Sequence, residues 1–157
     1  MRNVIRGLCI SLLMTVLFGC VPSVDEDAIV IDFEVSLSVS GLVDTTLTEA
    51  DFNKMPFVEE TITRIGRDGT EFVYQVKGIL LKDVLTYLDV DPEVVSLEAE
   101  DGYSQTYDQA MYDDPLTILA FFNEGEPLSE EDGPMWMFAG NFTGNFWIRQ
   151  LVKIIIT

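Results

Sequence analysis

The stretch Gly78-Ile79-Leu80-Leu81-Lys82-Asp83-Val84-Leu85 joins an apolar run to a helical pattern, and it lies at the centre of the predicted fold. Four apolar residues follow the spacing i, i+3, i+4 and i+7, which is typical of one face of an amphipathic helix: Leu81, Val84, Leu85 and Leu88. Gly78 has no side chain to pack within a strand. We therefore predict that it ends the β-type run that precedes it, at residues 71–77.

Patterns typical of β-strands lie on both sides of this helix. Before it, residues 57–65 and 71–77 are joined by Gly66-Arg67-Asp68-Gly69, and Asp-Gly is a strong hairpin signal. From Ile29 to Val39 apolar and polar residues alternate, which predicts a half-buried strand that ends at Gly41. After the helix, strands are predicted at residues 94–100, 103–107, 116–122, 135–138 and 147–156.

Two further short helices complete the predicted elements. Thr48-Glu49-Ala50-Asp51 has the pattern of a capping box and predicts a helix that stops before Pro56. Residues 108–112 are compatible with one helical turn. Many strands with two or three short helices predict the α+β class, as a β-rich single domain over residues 28–157 with a mixed or antiparallel sheet.

The composition excludes several classes of protein. The chain has 157 residues, with 9 Lys+Arg against 27 Asp+Glu, and it contains no His. Proteins that bind nucleic acid neutralise phosphates with Lys and Arg, so no nucleic-acid partner is expected. Without His there is neither a Ser-His-Asp triad nor a His-ligated zinc. The acidic loops lack the spacing of an EF-hand, so no metal site is predicted. No catalytic residue is predicted either.

The N-terminus has the features of a targeting segment. Arg2 and Arg6 precede an apolar stretch of 11 residues from Leu8 to Phe18. That stretch is too short to span a membrane as a helix, but it suits a signal peptide. Leu17-Phe18-Gly19-Cys20 resembles the bacterial lipobox.

The lipobox resemblance implies cleavage before Cys20 and attachment of lipid to that residue. We therefore expect a lipoprotein signal peptide over residues 1–19 and a tether over residues 20–27. The partner of Cys20 is then a bacterial membrane, with the domain lipid-anchored on its extracytoplasmic side in the cell envelope. The alternative is a secretory signal or a membrane anchor with a chance cysteine.

Five motifs occur in a fixed order along residues 29–157. They are a Gly-Leu start at 39–48, the Gly-helix segment at 78–85, Asp-Gly-Tyr-Ser at 101–104, a strand and Asn-Glu-Gly loop at 118–128, and Gly-Pro-Met at 133–135 followed by Trp147-Ile148. In this order they resemble the molybdopterin-binding domain of the sulfite oxidase type. The resemblance covers the whole mature domain and implies an oxidoreductase fold.

The same resemblance implies a molybdenum atom held by a pterin dithiolene and one Cys. In the family that Cys lies between the first helix and the Gly-helix segment, but residues 57–77 contain none here. Asp132 and Trp136 stand where the family often has a His and an Arg that hold the anionic groups of the cofactor. No cofactor is therefore predicted, although molybdopterin is the cofactor of the family.

A pocket is predicted at Asp101, Tyr103, Asp132, Trp136 and Trp147. Its aromatic neighbourhood is completed by Phe138, Phe142 and Phe146, which either line a pocket or pack as alternating core residues of a strand. The Lys and Arg residues look too few and too scattered for a phosphate site. A carboxylate beside aromatic faces favours an uncharged or cationic ligand.

Three functions remain open from the sequence. The first is a membrane-anchored binding or accessory module that keeps the sulfite oxidase fold without catalysis, with a small molecule or a protein as its ligand. The second is an oxidoreductase that still uses molybdopterin. The third is a structural or adhesive surface lipoprotein. The missing Cys, His and Arg favour the first over the second.

Overall fold

The computed structural model describes residues 30–157, which form ten strands, three short α-helices and one 3₁₀ turn. The helices are α1 (Glu49–Phe52), α2 (Leu81–Tyr87) and α3 (Gln109–Tyr112). The strands are β1 (Ser36–Gly41), β2 (Thr45–Thr48), β3 (Val58–Ile65), β4 (Glu71–Leu80), β5 (Val94–Ala99), β6 (Ser104–Asp108), β7 (Thr117–Asn123), β8 (Glu126–Pro127), β9 (Trp136–Ala139) and β10 (Leu151–Ile156). The 3₁₀ turn spans Gly144–Phe146.

The strands form two sheets that share one hydrophobic core. The first sheet has the order β2-β1-β10-β5-β6, and the second has the order β3-β4-β7-β8 with β9 also paired to β7. Every pairing is antiparallel except that of β1 with β10, which is parallel. Side chains from both sheets and from all three helices meet in a continuous buried cluster. The predicted class, α+β and β-rich with a mixed or antiparallel sheet and two or three short helices, is confirmed.

The helix that follows Gly78 forms as predicted, but Gly78 does not end the strand before it. Strand β4 continues through Gly78 to Leu80, and its pairing with β7 is irregular between Lys77 and Gly78. A Cβ atom on Gly78 would lie 2.1 Å from the carbonyl oxygen of Leu119 on β7. The glycine is therefore required by the close approach of two backbones, which the sequence pattern does not reveal.

The first predicted strand is shorter than its alternating pattern. Ile31 and Val35 are buried as the alternation predicts, but pairing begins only at Ser36. The preceding segment is held instead by the side-chain amide of Asn53, which accepts from the Ile31 N–H at 2.8 Å and donates to the Ile31 carbonyl at 2.9 Å. The side-chain amide of Asn53 thus pairs with the backbone of Ile31 as a neighbouring strand would.

The predicted signal peptide, Cys20 and the tether lie outside the described residues. Over residues 30–157, each helix is shorter and less apolar than a membrane crossing requires.

The capping box predicted at α1 is present. Asp51 Oδ2 accepts from the backbone N–H of Thr48 at 3.1 Å. Asp51 Oδ1 accepts from the Lys54 ammonium at 3.1 Å and from the Tyr87 hydroxyl at 2.9 Å. These hydrogen bonds, that of Thr48 first, lower the pKa of Asp51 from 3.8 to about 2. The carboxylate therefore links α1 to α2 in its charged form.

Asp51→Asn is expected to lower the free energy of unfolding at neutral pH by about 1 kcal/mol, since it weakens a helix cap. The folded-state pKa lies below the unfolded one, so the contribution of Asp51 is complete above 3.8 and disappears as the pH falls to about 2. Urea titrations of both proteins over that range measure the difference. Glu49→Gln, in the first turn of the same helix, is the charge-matched control. A difference that stayed constant across the range would contradict this assignment.

Candidate functional site

A cavity of about 370 Å³ lies where β3, the β5–β6 turn, β9 and the segment before β10 meet. Its lining consists of Arg64, Ala99, Asp101, Tyr103, Glu131, Trp136, Gly144, Trp147, Arg149 and Gln150. Four of the five residues predicted for the pocket are therefore brought together. The exception is Asp132, which does not line the cavity.

Aromatic rings pack behind this cavity as one cluster. Phe138 is fully buried, and its ring centroid lies 4.3 Å from that of Trp136 and 5.0 Å from that of Trp147. Tyr74, on β4, contacts all three rings edge-on at 5.4 to 5.6 Å. Trp136 and Trp147 are thus both core residues and cavity walls. Both interpretations left open by the sequence, pocket lining and core packing, therefore apply to them. The sequence did not indicate Tyr74, because it comes from a different strand.

The β5–β6 turn supplies the carboxylate and the phenol of the cavity. Asp101 accepts from the backbone N–H of Tyr103 at 2.9 Å, which fixes the turn. The hydroxyl of Tyr103 donates to the Asn145 carbonyl at 2.6 Å and accepts from the side chain of Gln105 at 2.8 Å. One carboxylate oxygen of Asp101 and the hydroxyl of Tyr103 therefore already have partners within the protein.

A second tyrosine of β6 holds the same loop from inside. Tyr107 is buried and its hydroxyl donates to the carbonyl of Phe146. Burial raises the pKa of the Tyr107 phenol well above its usual value, with the nearby Tyr103 as a smaller cause. The phenol therefore stays protonated and remains a donor. Together the two tyrosines position Gly144–Phe146 at the edge of the cavity.

Asp132 is engaged by an arginine. Its carboxylate lies 3.1 Å from Nε of Arg149, and Glu131 lies 3.5 Å from Nη1 of the same guanidinium. That guanidinium also lies over the ring of Trp136, 4.5 Å from its centroid. Asp132 is thus not in the lining of the cavity but pairs with Arg149, which is. Arg149, in the segment before β10, thus places its guanidinium beside Trp136.

Arg64 is the cavity residue that the sequence analysis undervalued. Its guanidinium lies 5.2 Å from the ring centroid of Phe72 and 5.6 Å from that of Trp147. Its Nε is buried and has no hydrogen-bond partner. Within residues 30–157 Arg64 forms no ion pair. The fold thus places two of the cations, Arg64 and Arg149, in the lining of one cavity.

A second cavity, of about 660 Å³, adjoins the first. It lies between the end of the β3–β4 hairpin and the loop of residues 140–145, with Arg67 and Phe142 in its lining. Arg64, Gly144 and Trp147 line both cavities. The side chain of Arg64 thus contributes to the lining of two adjoining cavities.

The donors around the first cavity do not fit a molybdenum centre held by a protein thiolate. Its side chains offer carboxylates, a phenol, indoles, guanidinium groups and one amide. Neither Cys nor His occurs in residues 30–157, and that region has no group of three metal-ligating side chains. Carboxylates and neutral oxygens are hard ligands and do not replace a thiolate.

Comparison with solved structures identifies a chain of the sulfane dehydrogenase SoxCD from Paracoccus pantotrophus as similar, with a TM-score of 0.65 and 20% sequence identity. The match covers 77% of this chain and 37% of that chain, so this chain spans well under half of it. Neither a protein-family model nor a curated protein matches the sequence. The likeness is one of fold alone, and the fold is sulfite oxidase-like. The fold implied by the order of the motifs is thereby supported.

Proposed function

We propose that this protein is a membrane-anchored extracytoplasmic lipoprotein whose molybdopterin-binding-like domain is a non-catalytic binding or accessory module. The observation that carries the proposal is the first cavity. Aromatic rings and two arginines line it, whereas a thiolate-bound metal centre would need a Cys that residues 30–157 do not contain. A domain that has the fold and a cavity but lacks a thiolate to hold the metal is suited to binding a ligand without redox chemistry.

The role as a binding module is tested by elemental analysis of the full chain, expressed in a host that makes molybdopterin. We expect molybdenum and tungsten far below one atom per chain, and no sulfite oxidation. Near-stoichiometric metal, with a pterin released by acid, would overturn the proposal in favour of an oxidoreductase. Protein that neither holds metal nor binds a small molecule in the cavity would favour a structural or adhesive role.

The anchor rests on the sequence of the first 20 residues. Cys20→Ala is expected to abolish lipidation, because the thiol is the attachment point, and to move the protein from the membrane fraction or leave it unprocessed. Fractionation and mass spectrometry of the N-terminus measure both effects. Cys9→Ala is the matched control, since Cys9 lies within the predicted signal peptide. A Cys20→Ala protein that fractionates and migrates as the wild type does would refute the anchor.

A further inference from the structure

Two buried hydrogen-bond donors in the lining of the first cavity lack acceptors. Four buried side-chain atoms of residues 30–157 have no partner, and two of them belong to cavity residues: Nε of Arg64 and Nε1 of Trp136. Both atoms carry a hydrogen and neither can accept one. Because buried polar groups in proteins are nearly always paired, each of these two atoms is a donor for which the described residues supply no acceptor.

The ion pairs of the two cavity arginines also indicate that Arg64 lacks a partner. The chain has three times as many acidic as basic side chains, so a basic group has many possible partners. Arg149 has two, Glu131 and Asp132, at 3.5 and 3.1 Å. Arg64 has none within residues 30–157, although Asp101 and Glu131 line the same cavity. Arg64 therefore has no direct ion-pair partner within the described residues, although the cavity also contains carboxylates.

We propose that Arg64 binds the carboxylate of a small, flat organic acid whose apolar body lies against the exposed edge of Trp147. The guanidinium fork matches the two oxygens of a carboxylate. Asp101 and Glu131 repel any anion in the cavity, and they repel a dianion more strongly, so the single guanidinium of Arg64 suits a monoanion. This inference rests on the proposed binding function and replaces the uncharged or cationic ligand expected from the sequence.

The position of Arg64 supports this assignment. Its guanidinium lies over the rings of both Phe72 and Trp147, and these contacts orient it before a ligand arrives. A Cβ atom on Gly144 would lie 3.2 Å from Nη1 of Arg64, so this glycine leaves room for the guanidinium. The cavity of about 370 Å³ falls within the usual size range of small-molecule sites.

The test uses three probes of one shape and different charge: 2-naphthoate, 2-naphthamide and 2-naphthylmethylammonium. Isothermal titration calorimetry on the full chain is expected to give naphthoate a Kd at least about tenfold below those of the other two. Arg64→Gln should raise the Kd for naphthoate by about tenfold or more and leave that for naphthamide unchanged. Arg64→Lys keeps the charge without the fork and should fall between them. Lys82→Gln, on α2, is the charge-matched control and should change nothing.

The outcomes separate this inference from the function on which it rests. Naphthoate that binds no tighter than the amide, or with an affinity that Arg64→Gln does not change, would overturn the carboxylate site. Tighter binding of the ammonium probe would overturn it too, while leaving a binding module in place. Stoichiometric molybdenum in the wild type would instead overturn the proposed function. Thermal unfolding of each variant checks that it is folded, and Arg64→Lys provides the comparison if Arg64→Gln is not.

Discussion

Gly78→Ala is expected to destabilise the protein by about 4 kcal/mol or more, or to prevent folding. The added Cβ would lie 2.1 Å from the Leu119 carbonyl oxygen and 2.7 Å from the Cα of Ala120. Both atoms belong to the backbone of β7, so no rotamer change relieves the contact. Because β7 also pairs with β8 and β9, moving it would disturb the whole second sheet.

A matched glycine separates the clash from the general cost of replacing glycine. Gly69, in the β3–β4 turn, has a φ of +84° and no atom within 4 Å of its ideal Cβ position. Gly69→Ala should therefore cost only the left-handed backbone strain, about 1 kcal/mol. Urea denaturation of both variants measures the contrast. Equal losses would show that β7 can shift and that the close approach is not essential.

Phe138→Ala is expected to cost about 3–5 kcal/mol, the usual range for removing a fully buried Phe. Phe138 lies on β9 among Tyr74, Trp136 and Trp147, with ring centroids between 4.3 and 5.4 Å away. Deleting the ring leaves a cavity behind the two tryptophans and removes their aromatic contacts. Both rings then lose the packing that fixes the wall of the binding cavity.

Phe142→Ala provides the comparison for this prediction. Phe142 is only partly buried and contacts Phe146 with ring centroids 6.4 Å apart. Its removal should cost about 1 kcal/mol, because less apolar surface is lost from contact. Chemical denaturation followed by tryptophan fluorescence measures both variants. If Phe142→Ala proved as damaging as Phe138→Ala, the central place of Phe138 in the cluster would be refuted.

The elements that sequence patterns predicted well are those with local causes. The apolar stripe of α2, the Thr48–Asp51 capping box and the Asp-Gly turn each depend on neighbours a few residues away, and all three form. Gly78 was misjudged because its reason is a strand more than 30 residues further along, whose approach distance leaves no mark in the local pattern.

The candidate site was predicted only in part for the same reason. Asp101, Tyr103, Trp136 and Trp147 lie near motifs whose order indicated the fold, and the cavity contains all four. Asp132 lies beside the lining rather than in it, paired with Arg149, and the sequence pattern does not reveal that pairing. Arg64 was missed because its environment comes from Phe72 and Trp147, on separate elements. Whether a charged side chain is paired within the protein or available to a ligand depends on which residues the fold places beside it.

The parallel pairing of β1 with β10 has a consequence for the order in which the protein can fold. β10 lies between β1 and β5, so the strand that comes last among the described residues occupies the middle of the first sheet. Until residues 151–156 have been synthesised, β1 and β5 each have one unpaired edge, and such edges favour aggregation. Loop closure between the two ends is slow, because the contacting residues are far apart in sequence. A chain without residues 151–156 would therefore lack the centre of the first sheet, and the domain can complete its folding only after β10 has been synthesised.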